Sequence, residues 1–409
     1  MKKLIFLLTT LFICNLVFAQ NKEADLQDLR IDVIYLASDL LQGRETGKPG
    51  EALAAQYVAS RFEEIGLTPK GSDGTWFHAF DFNYKSNPHA EKGEPRNGKN
   101  VVGYIDNGAE NTVVIGAHYD HLGMGTFGSL HTGSAEIHNG ADDNASGVSA
   151  MLYLAKRLKD NASTKGNNYL FIGFSGEEMG LVGSKKYVQN PTIDLKTVNY
   201  MLNMDMVGRL NEGKVLAING AGTSPSWKEE IPLIKVGDIT PKTSDSGIGP
   251  SDHTSFYIED IPVLHFFSGQ HMDYHKPVDD SHLVNFEGIY DISLFMLQLI
   301  ENLNDDGKLA FTKTKDEQDR KGAAFKVTLG VMPDYVYADG EGMRIDAVID
   351  GRPGAQAGLE KGDIVIKIGD IKVKDIYDYM EGLAKFKVGE TTKVRVKRGK
   401  KEKEFDVTF

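Results

Sequence analysis

Between Ile115 and Gly183 the chain sets three polar clusters directly against apolar runs, and that phasing restricts the fold more than any other feature. The clusters are Gly116-Ala117-His118-Tyr119-Asp120, Asn139-Gly140-Ala141-Asp142-Asp143-Asn144 and Ser175-Gly176-Glu177-Glu178-Met179-Gly180. Carboxylates and an imidazole are thereby delivered to the ends of buried elements. A cation site is assembled from distant pieces of chain in this way.

The apolar runs themselves read as strands: Val101 to Ile105, Thr112 to Ile115, Tyr169 to Phe174, Val198 to Met204 and Ile261 to Phe267. Helical spacing lies around and between them. It appears at Leu26, Leu29, Val33 and Leu36, at Leu53, Tyr57, Phe62 and Ile65, at Val148, Met151, Leu152, Ala155 and Leu158, and over Phe286 to Leu303. Gly66 is placed to end the second helix. Strands alternating with helices predict an α/β domain with a mostly parallel sheet flanked by helices. In such sheets the carboxyl ends of the strands face the ligand crevice. His118, Glu177 and Glu178, Asp205 and His275 each follow a predicted strand, so they can converge although far apart in sequence. Residues 70–99 suggest one strand among loops, and the stretch from Gly213 to Pro250 carries no readable pattern.

A chain of 409 residues is long enough for one large domain and a small one. Met1-Lys2-Lys3 followed by an apolar stretch to Val17 predicts a signal peptide over residues 1–19, and hence export to the periplasm or the medium. No later stretch is long and apolar enough to span a bilayer. The single cysteine, Cys14, falls inside the leader, so disulfides are excluded from the mature chain. A formal charge of −12 argues against a nucleic-acid partner. The large domain is expected over residues 25–303, a charged linker over 304–322, and a small, mainly-β domain over 323–409.

Two cations about 3.5–4 Å apart need a bridging carboxylate and further donors on each side. Imidazole mixed with carboxylate suits zinc better than magnesium. The expected assignment gives His118 and Asp205 to one zinc ion, Glu178 and His275 to the other, and Asp142 to the bridge. Asp120 is placed to accept the second imidazole N–H of His118. Glu177 stays free to take a proton from an attacking water and deliver it to a leaving amine. The other histidines, His121, His138, His253, His265 and His271 among them, read as structural.

These motifs, with Asn203-Met204-Asp205, Ser251-Asp252-His253 and Tyr274-His275-Lys276-Pro277, make the chain resemble the M28 zinc aminopeptidases over roughly Asp25 to Leu303. The resemblance implies a zinc-exopeptidase-like fold, two zinc ions, peptide substrates with a free N-terminus, the ligand set above, and Tyr274 as a donor to the tetrahedral intermediate. The terminal segment resembles a bacterial PDZ domain, which implies peptide binding by strand addition. Leu329-Gly330-Val331 would then receive a peptide carboxylate. Two rival readings remain: a glutaminyl cyclase on the same fold, and a PDZ-based adaptor carrying an inactive peptidase domain.

Overall fold

The computed structural model describes residues 22–84, 93–131, 133–314, 327–333, 341–348, 351–374 and 376–409. The expected leader, and the part of the expected linker beyond Thr314, lie outside the described residues. Among the described residues no helix is long and apolar enough to cross a membrane.

The first domain is built on a nine-stranded sheet. Its strands are β1 (Thr68–Pro69), β2 (Phe77–Tyr84), β3 (Glu94–Ile105), β4 (Thr112–His118), β5 (Asn168–Phe174), β6 (Val198–Met204), β7 (Val215–Asn219), β8 (Thr240–Ser244) and β9 (Val263–Phe267). The order across the sheet is β1-β3-β5-β4-β6-β9-β7-β8, with β2 also paired to β3. Parallel pairing runs through the centre, from β5 through β4 and β6 to β9. Toward the edges, β3 runs antiparallel to β5, and β7 antiparallel to β9. The expected mostly parallel sheet is therefore a mixed one with a parallel middle.

That middle is buried on both faces, which explains its near-continuous apolar sequence. Alternate residues feed two cores, as a period of two requires. Val113, Ile115, Phe171, Leu202 and Phe266 join one core, while Val114, Leu170, Ile172, Met201 and Val263 join the other. The first core is covered by the helix over residues 22–36 (α1), α2 (Pro49–Ile65), α3 (Gly147–Lys159) and a long closing helix (Phe286–Asn302). The second is covered by α4 (Val182–Gln189) and a short helix at His253–Tyr257, which contribute Tyr187, Phe256 and Tyr257. Gly66 ends α2 as expected: at φ 86° its N–H caps the carbonyls of Phe62 and Glu63.

The segment after the closing helix departs from the expected linker. Residues 304–314 lie along the first domain, with Leu309 buried and the Leu309 N–H bonded to Asn199 Oδ1 at 2.8 Å. The Thr312 N–H donates to the Thr223 carbonyl, and the Thr314 N–H to the Tyr257 hydroxyl. Charged residues at 305, 306 and 308 hid this from a composition-based reading, because the packing depends on single apolar side chains, Leu309 and Phe311, that follow them.

The second domain is a six-stranded antiparallel sheet with its own core of Leu329, Ile345, Val365, Ile368, Val394, Val396 and Val407. Its last two strands, Thr391–Arg398 and Lys401–Thr408, form a hairpin across Gly399 and Lys400, with Gly399 at φ 60°.

Candidate metal centre

The carboxyl ends of β4, β5, β6 and β9 open on one cavity of about 130 Å³, lined by Asp143, Glu177, Glu178, Asp205, Met206, Asn219, Pro250, His265, Phe267, Gln270, Tyr274 and His275. His118 is the last residue of β4; Glu177 and Glu178 follow β5, and Asp205 follows β6. His275 lies in the loop after β9, at φ 54° in the left-handed region that non-glycine residues seldom adopt.

Asp143 stands at the centre. Its Oδ1 lies 3.3 Å from His118 Nε2, which is itself 3.4 Å from Asp205 Oδ1. Its Oδ2 lies 3.2 Å from His275 Nε2, which is 3.2 Å from Glu178 Oε2. Two His–carboxylate pairs therefore face opposite oxygens of one aspartate. A tetrahedral zinc ion with bonds of about 2.0–2.1 Å would hold its donors about 3.3 Å apart, which is the spacing found for all four pairs. The residues fit the ion.

The expectation for Asp142 is corrected here. Its Oδ1 accepts from the Gly208 N–H at 2.6 Å and from Ser146 Oγ at 3.0 Å, and its Oδ2 lies 3.1 Å from His271 Nε2. It pins the turn that carries Asp143 and takes no part in the cluster. Two adjacent acids cannot be separated by spacing alone; the backbone decides, and Asp143, at φ −105° and ψ 91°, is the one turned into the crevice. Asp279 steadies the same turn, its Oδ2 accepting from the N–H groups of Asp142 and Asp143 at 3.0 and 3.1 Å while its Oδ1 meets Arg209 at 3.3 Å.

Asp120 also differs in detail from expectation. Its carbonyl, not its carboxylate, is the group 3.2 Å from His118 Nδ1; the nearer carboxylate oxygen is 3.7 Å away. The carboxylate instead accepts from the Glu177 N–H at 3.2 Å and the Thr46 hydroxyl at 3.0 Å. His275 Nδ1 is held by the Gly128 carbonyl at 2.8 Å, and the Tyr274 ring stacks on His275 with centroids 3.8 Å apart. The histidine that sequence reading passed over is His121, whose Nδ1 meets Glu178 Oε1 at 2.7 Å.

Beneath the cluster lies Arg44, fully buried. Its guanidinium donates to the carbonyls of Tyr119 at 2.7 Å, Asn139 at 2.6 Å, Gly140 at 2.9 Å and Leu36. Burial lowers its pKa to about 10, while Asp120, Asp143, Asp279 and Glu178 favour the charge.

The electrostatics of the site call for positive charge. Burial opposes protonation of His118 and His275, yet the surrounding carboxylates raise both well above the usual imidazole value. Burial likewise opposes ionisation of Glu178, but His275 and His121 hold it down at about 2. Glu177 behaves in the opposite way: burial, reinforced by Asp205, Glu178 and Asp252 and opposed by His118, lifts it well above the carboxylate range. Asp252 is pushed up to about 7, first by burial and then by Asp120 and Asp205 against His118 and Ser184. Two neighbouring carboxyls with pKa values driven apart are the arrangement from which acid–base roles are drawn.

A mixed α/β sheet with such a cluster at its strand ends is a zinc-exopeptidase-like fold. Residues 100–300 match the model of peptidase family M28 and residues 311–409 that of the PDZ domain, so the chain is an M28 peptidase domain followed by a PDZ domain. The leupeptin-inactivating enzyme 1 of Streptomyces exfoliatus is 31% identical over 236 residues, 57% of this chain and 46% of that protein. The chain spans less than half the length of curated relatives that it matches. The zinc aminopeptidase BSAP from Bacillus subtilis superposes with a TM-score of 0.54 at 17% identity, over 70% of this chain and 98% of that one. The glutaminyl cyclase of Porphyromonas gingivalis does so with a TM-score of 0.54 at 14% identity, over 68% and 98%. At these identities the likeness is one of fold.

Proposed function

We propose that the chain is an exported di-zinc aminopeptidase that removes N-terminal residues from peptides. The observation that carries this reading is Asp143, each of whose oxygens faces a separate His–carboxylate pair beside the free Glu177. In this reading His118, Asp143 and Asp205 hold one zinc ion, and His275, Asp143 and Glu178 the other. When bound, the ions supply Lewis acidity toward the scissile carbonyl and lower the pKa of the attacking water.

The rest is the work of the chain. Glu177 takes the proton of that water and passes it to the leaving amine, since it stands in the cavity without belonging to either His–carboxylate pair. Asp120 fixes Glu177 through its backbone N–H and sets the His118 tautomer through its own carbonyl. Tyr274 donates to the developing oxyanion. The cavity wall at Met206, Phe267 and Pro250 accepts the N-terminal side chain. The peptidase domain extends through Thr314, and the PDZ domain binds peptide ends near Leu329, Gly330 and Val331. Export rests on the basic and apolar leader over residues 1–19.

The test is a mass measurement on peptides with free N-termini. Stepwise loss of first residues, abolished by a chelator and restored by zinc, is the expected result. Loss of ammonia from a peptide beginning with glutamine would mark a cyclase instead. Chelator-insensitive cleavage would overturn the reading, and no turnover by a chain that retains peptide binding would favour the adaptor.

A further inference from the structure

We infer that His121 is a positioning residue that restricts Glu178 to a single coordinating oxygen, an inference that rests on the two-zinc reading above. The spacing separates His121 from the ligands. Its Nδ1 is 2.7 Å from Glu178 Oε1, a hydrogen-bond length, whereas donors sharing a tetrahedral zinc ion sit about 3.3 Å apart. The other oxygen of the same carboxylate, Oε2, keeps the longer spacing, 3.2 Å to His275 Nε2.

An ionised carboxylate only accepts, so the hydrogen lies on His121 Nδ1 and the ring is the donor. Among the described residues His121 Nε2 has no hydrogen-bond partner, so the bond to Glu178 is the one this buried ring makes. The ring has no room to turn away. Gly140, at φ 55°, packs so closely that a Cβ there would come within 2.5 Å of the imidazole, and the ring of His275 meets it edge-on at 5.8 Å. The His121 N–H is tied to the Arg44 carbonyl at 3.3 Å.

The consequence concerns coordination number. With Oε1 occupied, Glu178 offers the His275-side ion one oxygen. With Oε1 released, the carboxylate can close on the ion through both oxygens and fill the position that a catalytic site keeps open for substrate. Asp120 and His121 thus divide the two glutamates: the first holds the Glu177 backbone, the second the Glu178 side chain.

The experiment loads the purified full chain with cobalt(II) and compares His121→Leu, His121→Asn and His121→Gln with the parent. Asparagine carries a donor close to the Nδ1 position; glutamine carries it near Nε2, and leucine has none. All four proteins are expected to take up two ions. The leucine and glutamine variants should lose about 10–100-fold in kcat with KM little changed. Their visible cobalt absorption should weaken, since d–d bands lose intensity as coordination number rises. The asparagine variant should stay within about threefold of the parent in kcat and keep its spectrum, because it preserves the hydrogen bond.

Loss of one ion from the leucine and glutamine variants would make His121 a ligand and overturn the inference. So would unchanged kcat and spectrum in those variants, or an asparagine variant as impaired as they are. These outcomes leave the two-zinc reading standing; a parent that takes up no cobalt would remove both.

Discussion

Replacing Asp143 and Asp142 separately by asparagine tests the placement of the bridge. Each oxygen of Asp143 faces one His–carboxylate pair, so in the proposed centre each ion has three protein donors and Asp143 is one of them for both. Structural zinc sites bind with roughly 10–16 kcal/mol; a third of that is roughly 3–5 kcal/mol per ion, or about 10²–10⁴-fold in affinity. Asp143→Asn is therefore expected to lose both zinc ions on dialysis at submicromolar free metal. Asp142→Asn keeps the Oδ1 acceptor for Gly208 and Ser146 and loses the charge opposite His271. Its cost should appear as about 1–3 kcal/mol of stability, the range for leaving a buried polar group without its partner, with zinc content unchanged. Elemental analysis of dialysed protein and chemical denaturation read the two effects. If Asp142→Asn loses the metal while Asp143→Asn retains it, the assignment is wrong.

Glu177→Gln should keep both zinc ions and lower kcat by about 10²–10⁴-fold, the usual weight of general acid–base catalysis; unchanged turnover would remove Glu177 from its role. His265, buried in the cavity wall, has its pKa depressed to about 4, chiefly by burial and secondarily by His118, with Asp205 opposing. The unfolded chain therefore binds the extra proton first, so this contribution is complete above about pH 6.5 and fades as pH falls toward 4, by at most roughly 3 kcal/mol. Denaturation of His265→Gln at pH 7.5 and 5 should show a smaller acid loss than the parent, and an equal loss would refute the attribution. A chain ending at Thr314 should fold and hydrolyse aminoacyl substrates. One ending at Leu303 should be less stable by at least the roughly 1.5–3 kcal/mol of buried Leu309, and equal melting of the two would show that the segment contributes nothing.

The sequence made the central strands legible because they are buried on both faces and so carry unbroken apolar runs, bounded by the polar residues of the site. It made His118, Glu178, Asp205 and His275 legible for the same reason: the first three sit at or within four residues of the end of such a run and His275 lies in the loop beyond one, and the structure brings all four around one aspartate. The aspartate itself was not, since Asp142 and Asp143 differ by a backbone rotation that no spacing records. Strands Val215–Asn219 and Thr240–Ser244 escaped because the first is short and the second, Thr-Pro-Lys-Thr-Ser, lies at the sheet edge with a partly exposed, polar sequence. His121 was passed over because a histidine next to an acid is common, and its meaning appears only when Glu178, 57 positions away, folds against it.

Arg44 gives the molecule an uneven tolerance to mutation. All four of its acceptors are main-chain carbonyls, so the side chains at Leu36, Tyr119 and Asn139 can change without breaking any bond to the guanidinium. Position 44 has no such freedom: lysine cannot serve four directions at once, and a neutral residue would strand four carbonyls in the interior. A single codon thus guards the spacing between two stretches of chain nearly a hundred residues apart.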